Sequence, residues 1–361
     1  MTRHELETLR EEIQTIDAEL LELMSRRLDA ATEIGLVKHK DGLKVRDPAR
    51  EQQVISEYAR NARAFGLDEQ IVSQLARALI EGSVAVQKTK KNGDLVGRTG
   101  LVVGGAGRMG KWICRFLSDR GAEVLIWDPR GKLEGYASVK SLRQPARKAD
   151  IVVVASPLGV CPEELRAVMD SSPKGLVFDL CSVKSHISGI LRQGAKAGLL
   201  VTSVHPMFGP SSPSPKNQNV VICSCGSERA DKQASELFSK AGARVSNISL
   251  EKHDELMAYV LGLSHLCTLV FAGVVERSGK ELSEYCDVQG PSFRKLTRMA
   301  RDLSVESQRV YHDIQALNPQ TRQMIGSMET VLRELRKASL DANAVRFGRI
   351  MEADKKYLEV R

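Results

Sequence analysis

A glycine-rich stretch carries the first chemical signal in this sequence. Residues 101–110 read Leu-Val-Val-Gly-Gly-Ala-Gly-Arg-Met-Gly, an apolar run that leads into glycines spaced G-x-G-x-x-G. Between a strand and a helix, Gly105 would allow a sharp turn, Gly107 would let the backbone approach a pyrophosphate, and Gly110 would let the helix pack on the strand. The helix start adds N–H groups for phosphate oxygens. The predicted cofactor-binding residues of this turn are Gly105, Gly107, Arg108, Met109 and Gly110.

An acidic residue follows at the distance that a dinucleotide site needs. Residues 123–127 are typical of a second strand, and Asp128 comes 18 residues after Gly110. A carboxylate at this place can bind the ribose hydroxyls of NAD, and it would repel the 2′-phosphate of NADP. The sequence therefore predicts NAD as the cofactor, while Arg130 leaves NADP open as an alternative.

A histidine at a strand end is the second candidate for chemistry. His205 ends the apolar run that begins at Val201, and the loop Pro206–Pro210 that follows is stiffened by two prolines. Functional residues are often held on such loops, and imidazole changes its charge near neutral pH. A lone histidine of this kind is more often structural, so the residues alone leave both interpretations open.

Cationic residues near the N-terminus form the third candidate group. Apolar residues over 6–37 recur every three or four positions, which predicts one long helix with a coiled-coil-like seam that ends at Gly42. Arg27 stands in that seam, where a charge needs an anionic ligand or a buried carboxylate. Lys38 lies on the same face, about 16 Å along the axis. Arg10 lies roughly 25 Å from Arg27 and would serve a similar site only in the partner subunit.

Two shorter helices complete the N-terminal region. Asp47 and Pro48 are an N-cap and first-turn pair that opens the second helix, and Asp68 opens a third helix that ends near Gln87. Three helices of such unequal length cannot close a core alone, so an intertwined dimer is expected. We predict a helical domain over residues 1–92.

The middle of the chain alternates apolar runs with helical patterns. After a polar linker at 88–97, runs such as 151–156 are typical of parallel strands that are covered on both faces. Ligands of such sheets bind beyond the carboxyl ends of the strands, where Ser156 and the loop 179–184 lie. We predict an α/β Rossmann domain over residues 98–250.

The C-terminal region is helical, and one segment in it could cross a bilayer. Residues 256–275 contain no Asp, Glu, Lys or Arg. An uncharged segment of this length is long enough to span a membrane. Ser264, His265 and Thr268 lie in its middle, and no second such segment accompanies it. We therefore favour a buried helix of a dimer core, within a helical domain over residues 251–361.

The composition limits the classes of function. The 361 residues carry a net charge of +8, but residues 1–92 hold 15 basic and 16 acidic side chains, and the excess elsewhere forms no run. With 4% aromatic residues, this distribution disfavours a nucleic-acid surface and fits an enzyme for anionic metabolites. Seven cysteines without a C-x-x-C pair, and a charged helix that begins almost at Met1, predict a cytoplasmic protein with reduced thiols. No metal site is expected.

Residues 3–90 resemble the all-helical chorismate mutases. The resemblance lies in residues 8–38, in 45–51 (Val-Arg-Asp-Pro-Ala-Arg-Glu) and in 81–87 (Glu-Gly-Ser-Val-Ala-Val-Gln). It implies an intertwined homodimer with two sites that rearrange chorismate to prephenate. This reaction needs only a clamp on the reactive conformer and donors placed where negative charge grows.

The mutase resemblance also implies the site residues. They comprise three arginines for the carboxylates, two donors for the ether oxygen and three residues for the hydroxyl and neighbouring polar contacts. These are, in that order, Arg10, Arg27 and Arg50; Lys38 and Gln87; and Asp47, Glu51 and Ser83. The partner subunit's Arg10 would complete each site.

Residues 99–355 resemble the prephenate dehydrogenase family. The resemblance lies in the glycine-rich stretch, in Asp179-Leu-Cys-Ser-Val-Lys184 and in His205-Pro-Met-Phe-Gly-Pro210. It implies that His205 accepts a hydrogen bond from the substrate's 4-hydroxyl while hydride passes to NAD and the ring carboxylate is lost. Ser182 would assist near that hydroxyl, and Lys184 would order the loop.

Three further residues enter through the same resemblance. His265 would line the substrate pocket, Arg294 would bind a carboxylate of prephenate through its planar fork, and Ser156 would line the cofactor cleft. The order of mutase and dehydrogenase is that of the bifunctional chorismate mutase-prephenate dehydrogenases, and the product of the first activity is the substrate of the second. A cytoplasmic homodimer that forms 4-hydroxyphenylpyruvate from chorismate is therefore expected.

Three alternatives stay open at this stage. An arogenate-using dehydrogenase would differ from a prephenate dehydrogenase by few pocket residues. A regulatory protein could use a mutase-like bundle to sense an aromatic metabolite, although the complete residue set from Arg10 to Gln87 argues against it. Nucleic-acid binding ranks third. Tyrosine inhibition, transfer of prephenate between sites and assembly beyond a dimer are not decided by the sequence.

Overall fold

The computed structural model describes residues 3–40, 43–88, 93–304, 307–341 and 343–359. The chain divides into two compact units. The first comprises the helices before Gly97 with two short later segments, Ser118–Ala122 and Gly209–Pro215, and the second comprises the rest of the described chain. All seven cysteines are free thiols.

Three helices form the first unit, as predicted: α1 (Arg3–Lys40), α2 (Pro48–Ala64) and α3 (Glu69–Lys88). The Asp47 carboxylate caps α2 by accepting a hydrogen bond from the Arg50 N–H at 3.1 Å. Asp68 caps α3 in the same way, with its Oδ1 atom 3.0 Å from the Ile71 N–H. Both α1 and α2 pack against α3.

Much of the apolar seam of α1 is exposed in the single chain. Five of its residues are 45% to 57% exposed, namely Leu9, Ile13, Ile16, Leu20 and Leu23. A continuous apolar stripe along a helix is a surface that soluble proteins cover with another element.

An eight-stranded sheet forms the centre of the second unit. Its strands are β1 (Thr99–Val103), β2 (Glu123–Trp127), β3 (Ala137–Ser138), β4 (Ile151–Val154), β5 (Leu176–Asp179), β6 (Val201–Pro206), β7 (Asn219–Ser224) and β8 (Arg244–Ser249). The order across the sheet is β3-β2-β1-β4-β5-β6-β7-β8, and every neighbouring pair is parallel except β6 and β7. The order reverses between β1 and β4, where doubly wound sheets open a crevice at the carboxyl ends of their strands.

Five helices cover this sheet: α4 (Arg108–Ser118), α5 (Arg143–Lys148), α6 (Cys161–Asp170), α7 (Ser188–Lys196) and α8 (Glu228–Ser239). The Rossmann-type fold is thereby confirmed. Two features were not predicted, the two-residue strand β3 and the antiparallel pairing of β6 with β7. A strand of two residues has no periodicity to detect, and a strand buried on both faces has the same pattern in either direction.

The C-terminal region is helical, as predicted. Its elements are α9 (Leu250–Met257), a π-helical segment (Ala258–Leu263), α10 (Ser264–Glu276), α11 (Leu282–Cys286), α12 (Pro291–Ser304), α13 (Gln308–Leu317), α14 (Thr321–Leu340) and α15 (Ala344–Glu359). Among the described residues, one helical stretch, Leu250–Glu276, is long and apolar enough to cross a membrane, by length and composition alone. Only 17% of its most apolar window is buried within the described chain, so this chain by itself does not provide the burial that the sequence predicts for the helix.

Candidate active sites

The glycine-rich turn joins β1 to α4 at the reversal of strand order. Gly104 makes the turn, with φ of +79°, a left-handed conformation that glycine adopts without strain. Gly105, for which the sequence predicts a sharp turn, lies in the same turn. Gly105 is required for a different reason, because a Cβ there would lie 2.7 Å from the Ile126 side chain of β2.

The start of α4 packs directly against this turn. A Cβ on Gly110 would lie 2.1 Å from the Gly104 carbonyl oxygen, and a Cβ on Gly107 would lie 3.2 Å from it. Arg108 is exposed and Met109 half-buried in the first turn of α4. The backbone at the helix start is therefore bare enough for a phosphate group to approach.

Asp128 lies at the carboxyl end of β2, beside the turn. Its Oδ2 accepts a hydrogen bond from the Ala106 N–H at 3.0 Å, and its Oδ1 accepts one from the Arg130 N–H at 2.9 Å. The Arg130 guanidinium lies 3.3 Å from both carboxylate oxygens. Burial alone would raise the pKa of Asp128, but these hydrogen bonds from Arg130 and Ala106 lower it. Asp128 is therefore an anion next to the predicted pyrophosphate site.

Ser156 lies across the same crevice, just after β4. A Cβ on Gly104 would be 2.8 Å from the Ser156 hydroxyl, so the two loops touch. The Ser156 hydroxyl donates to the Glu164 carboxylate on α6, and burial raises the pKa of Glu164. The sequence analysis missed Glu164, since an acidic residue in the first turn of a helix usually only complements the helix dipole.

His205 lies at the end of β6 and is 4% exposed. Its Nδ1 is 2.8 Å from Nε2 of His253 in α9, and Nδ1 of His253 is 2.7 Å from Oδ1 of Asp254. Burial, together with the neighbouring His253 and Lys184, lowers the pKa of His205 well below its ordinary value. His205 is therefore neutral at neutral pH, as a hydrogen-bond acceptor must be. His253 and Asp254 were not predicted.

Lys184, in the loop after β5, contacts the ends of two strands, β5 and β6. Its ammonium group donates to Oδ1 of Asp179 at 2.7 Å and to the Val204 carbonyl at 2.9 Å, and both charged side chains are fully buried. Burial alone would lower the pKa of Lys184, but the facing Asp179 carboxylate raises it. Ser182 is half-buried in the same loop, which ends next to Asp254.

His265 and Arg294 do not join this cluster in the described part of the chain. The His265 ring meets the Tyr311 ring edge-on at a centroid distance of 4.6 Å. Its buried Nδ1 has no hydrogen-bond partner among the described residues, and burial lowers its pKa. Arg294 is exposed in the first turn of α12.

The first unit brings Arg27 of α1 to Ser83 of α3, two residues that the mutase resemblance assigns to one site. The Arg27 Nη1 atom donates to the Ser83 hydroxyl at 2.7 Å and to the Leu79 carbonyl at 2.8 Å. Ser83 is buried and donates to the same carbonyl at 2.7 Å. The acceptors of these two hydrogen bonds from the Arg27 guanidinium are therefore neutral, and neither is a carboxylate that would balance its positive charge.

Lys38, at the end of α1, and Glu51, in the first turn of α2, flank the connection between these helices. The Lys38 ammonium donates to the Val45 carbonyl at 2.6 Å. Glu51 accepts a hydrogen bond from Arg46 at 3.1 Å through one oxygen, while its buried Oε1 has no partner among the described residues. Arg46 also binds Glu81. The sequence analysis missed Arg46, because only its contacts with Glu51 and Glu81 distinguish it from the basic residues nearby.

Three predicted mutase residues lie outside this set of contacts. Arg50 and Arg10 are exposed on α2 and α1. Gln87 is in the last turn of α3, and its side chain lies outside the described residues.

Three family models match the chain. The model for chorismate mutase type II matches residues 9–88, that for the prephenate dehydrogenase nucleotide-binding domain matches 134–247, and that for the prephenate dehydrogenase dimerization domain matches 249–353. The glycine-rich turn and Asp128 precede the second match, so their assignment depends on the geometry above.

Relatives and solved structures agree with these matches. The chain is 27% identical over 312 residues to the T-protein of Enterobacter agglomerans. The match covers 86% of this chain and 81% of that protein. It is 30% identical over 240 residues to 4-amino-4-deoxyprephenate dehydrogenase of Streptomyces pristinaespiralis, covering 63% and 80% of the two proteins. It shares the fold of a prephenate dehydrogenase from A. aeolicus, solved with hydroxyphenyl propionate and NAD+, at a TM-score of 0.58 and 18% identity over 74% of this chain and 100% of that one.

Proposed function

Because the chain belongs to the bifunctional chorismate mutase-prephenate dehydrogenases of tyrosine biosynthesis, we propose how its own residues perform the two reactions. The first unit rearranges chorismate to prephenate, and the second converts prephenate with NAD to 4-hydroxyphenylpyruvate. The observation that carries the proposal is the neutral, buried His205 at the end of β6, in the same sheet as the glycine-rich turn.

The mutase step needs cations that hold a dicarboxylate in its folded conformer. Arg27, already oriented by Ser83, supplies one, and Arg50 and the partner subunit's Arg10 supply the others. Lys38 and Gln87 donate to the ether oxygen as its bond breaks and negative charge grows there. Glu51, with its unpartnered Oε1, and Asp47 face the substrate hydroxyl.

The dehydrogenase step oxidises the ring carbon that bears the hydroxyl. The hydride leaves that carbon, the bond to the ring carboxylate breaks to release CO2, and its electron pair completes the aromatic ring. His205 accepts the hydroxyl hydrogen bond as the hydride leaves and returns the proton to the phenol oxygen, so no net proton is consumed. Ser182 lies on the adjacent loop and assists, and Arg294 and His265 bind the rest of the substrate.

The crevice at β1 and β4 fits a dinucleotide. Cβ atoms at Gly104 and Gly110 would fill the space that bare backbone leaves at the helix start. Gly105, Gly107, Arg108 and Met109 complete the turn, and Ser156 lines the opposite side. NAD, when bound here, supplies the hydride acceptor, and Asp128 binds its ribose hydroxyls.

Replacing Asp128 with serine should weaken NAD binding and relax the choice of cofactor. The variant loses an anionic acceptor for the ribose, and Arg130 is freed to bind a 2′-phosphate. We expect KM for NAD to rise by roughly tenfold or more, as for loss of a charged hydrogen bond, and the preference for NAD over NADP to shrink by a similar factor. The measurement is kcat/KM for both cofactors, with Asp170→Ser, on an exposed position of α6, as the control. An unchanged cofactor preference would exclude Asp128 from the ribose site.

Prephenate oxidation should keep its full rate through mildly acidic pH and weaken only well below about pH 6.5. His205 works as the neutral base, and burial beside His253 and the Lys184 ammonium, with Asp254 and Asp179 beyond them, keeps its pKa well below about 6.5. Activity is therefore full above that pKa and should fall about tenfold per pH unit below it. The pH dependence of kcat/KM for prephenate measures this. A rise in kcat/KM as His205 becomes protonated would contradict the role of base.

A cytoplasmic homodimer is the assembly we propose. The exposed seam of α1 and the exposed residues Val260, Leu269 and Val274 of the apolar C-terminal helix are surfaces that a second copy would cover. The match to a dimerization domain over 249–353 supports this assignment. Neither a membrane nor a nucleic acid is needed to cover these surfaces.

Oxidation of supplied prephenate tests the proposal. Purified protein with prephenate and NAD should form NADH and CO2 in equal amounts, together with 4-hydroxyphenylpyruvate. Oxidation of arogenate in preference to prephenate would instead support the alternative substrate that the sequence left open.

A further inference from the structure

Three buried side chains connect β6 to the start of α9. His205 contacts His253, and His253 contacts Asp254, at 2.8 Å and 2.7 Å. Both histidines use specific ring nitrogens: Nδ1 of His205 faces Nε2 of His253, and Nδ1 of His253 faces the carboxylate. Each contact needs one donor and one acceptor, so the position of every proton in the chain depends on its neighbour.

The proton positions follow from the carboxylate end. Burial alone would raise the pKa of Asp254, but hydrogen bonds from His253, Ser185 and Lys184 lower it, so Asp254 is ionised and only accepts. His253 must therefore carry a proton on Nδ1. Burial lowers the pKa of His253 against the opposing effect of Asp254, so its Nε2 is unprotonated and accepts. His205 must then donate from Nδ1, which leaves the lone pair on its Nε2.

We propose that His253 and Asp254 are positioning residues that hold His205 in the tautomer with an unprotonated Nε2, the form that can accept the substrate's hydroxyl proton. The inference rests on the proposed role of His205 as the base. It assigns to His253 and Asp254 a task that they perform through His205. With the other tautomer, Nε2 would present a hydrogen to the hydroxyl and could not accept one.

The surroundings fix Asp254 in the orientation that this task needs. The backbone N–H of Lys184 lies 2.9 Å from Oδ1, and that of Ser185 lies 2.7 Å from Oδ2. The Ser185 hydroxyl also donates to Oδ2. On the other side, Asn318 donates to the Asp254 carbonyl at 2.8 Å. The loop that contains Lys184 and Ser185 thus orients the Asp254 carboxylate, which accepts the hydrogen bond from His253.

The substitution Asp254→Asn should reverse the donor and acceptor in both hydrogen bonds that link Asp254, His253 and His205. The amide oxygen must take the place of Oδ2, because an NH2 group there would meet the Ser185 N–H, the Ser185 hydroxyl and the Lys184 N–H, which is 3.0 Å from Oδ2 and can donate to that oxygen alone. The NH2 group then faces His253 Nδ1, which must accept. His253 would carry its proton on Nε2, and His205 would accept at Nδ1 and carry its own proton on Nε2.

The test combines a tautomer measurement with kinetics on the full-length protein labelled with 15N-histidine. In the wild type, NMR should show His205 with a protonated Nδ1 and an unprotonated Nε2, the signal being assigned by its loss in His205→Asn. In Asp254→Asn the two nitrogens should exchange states. The kcat for prephenate oxidation should fall by about 10² to 10⁴, as for a catalytic histidine in the wrong tautomer, with KM for NAD and chorismate consumption unchanged.

A matched control is Asp231→Asn, which alters a carboxylate that accepts hydrogen bonds from Thr202 and Ser224 in the same sheet. It should leave the His205 tautomer and kcat unchanged. A folded Asp254→Asn variant with an unchanged tautomer would overturn the proposal, whatever its rate. If that variant does not fold, the wild-type spectrum decides, because a protonated Nε2 overturns the proposal by itself. Failure of the wild type to oxidise prephenate would instead refute the proposed function, and the spectrum would still report the tautomer.

Discussion

Replacing His205 with asparagine should abolish NADH formation from prephenate while chorismate consumption continues at the wild-type rate. The amide nitrogen of asparagine can replace Nδ1–H toward His253, 2.8 Å away in the wild type. No atom replaces Nε2, so the substrate hydroxyl loses its acceptor. Loss of a general base lowers the rate by a factor of about 10² to 10⁴. We expect the loss of kcat here to lie near the larger of these factors. Parallel assays of NADH formation and chorismate loss measure both activities in one preparation.

A suitable control for this variant is His312→Asn, since the His312 side chain is 73% exposed on α13. It should keep both activities. Loss of both activities in a folded His205→Asn protein would contradict the assignment of two separate sites.

Replacing Lys38 with alanine should have the opposite effect, stopping the mutase and sparing oxidation of supplied prephenate. Lys38 is held at the end of α1 by the Val45 carbonyl, on the face that Arg27 shares. The variant loses the cation that we propose for the ether oxygen, where charge develops in the rearrangement. Removal of one such donor costs about 10² to 10³ in kcat. Rates of chorismate loss and of prephenate oxidation by the same protein provide the comparison.

The matched control is Lys44→Ala, which removes an exposed lysine from the connection before α2. It should leave the mutase rate unchanged. If Lys38→Ala also lost prephenate oxidation while remaining folded, the two reactions would have to share residues.

The glycine-rich turn illustrates what spacing alone can predict. The G-x-G-x-x-G pattern located the strand, the turn and the helix correctly, because each glycine answers a steric need of that junction. It did not single out Gly104 as the residue with positive φ. Two adjacent glycines have the same freedom of φ, and the clash that distinguishes them involves Ile126 on another strand.

The surroundings of His205 show where sequence reasoning ends. His205 itself stood out, because a histidine between a buried strand and a proline loop is an unusual arrangement. His253 lies 48 residues further along the chain, and no spacing rule connects the two. The two residues meet only because α9, which follows β8, packs on the sheet.

Arg10, Arg27 and Lys38 were singled out by their places on the first helix and the other mutase residues through resemblance, and the roles of all of them stay predictions. The geometry supports a site where Arg27 meets Ser83 and where Glu51 keeps an unpartnered oxygen. It adds Arg46, whose contacts with Glu51 and Glu81 depend on how α2 and α3 pack. The domain limits 1–92, 98–250 and 251–361 also stay predictions.

The most direct test supplies the purified protein with chorismate, once with NAD and once without, and follows chorismate and NADH together. Chorismate should disappear in both experiments, and NADH should appear only in the first and only after prephenate has formed. Chorismate loss without any NADH, in a protein that also fails with prephenate supplied, would contradict the assignment of two successive activities to this chain.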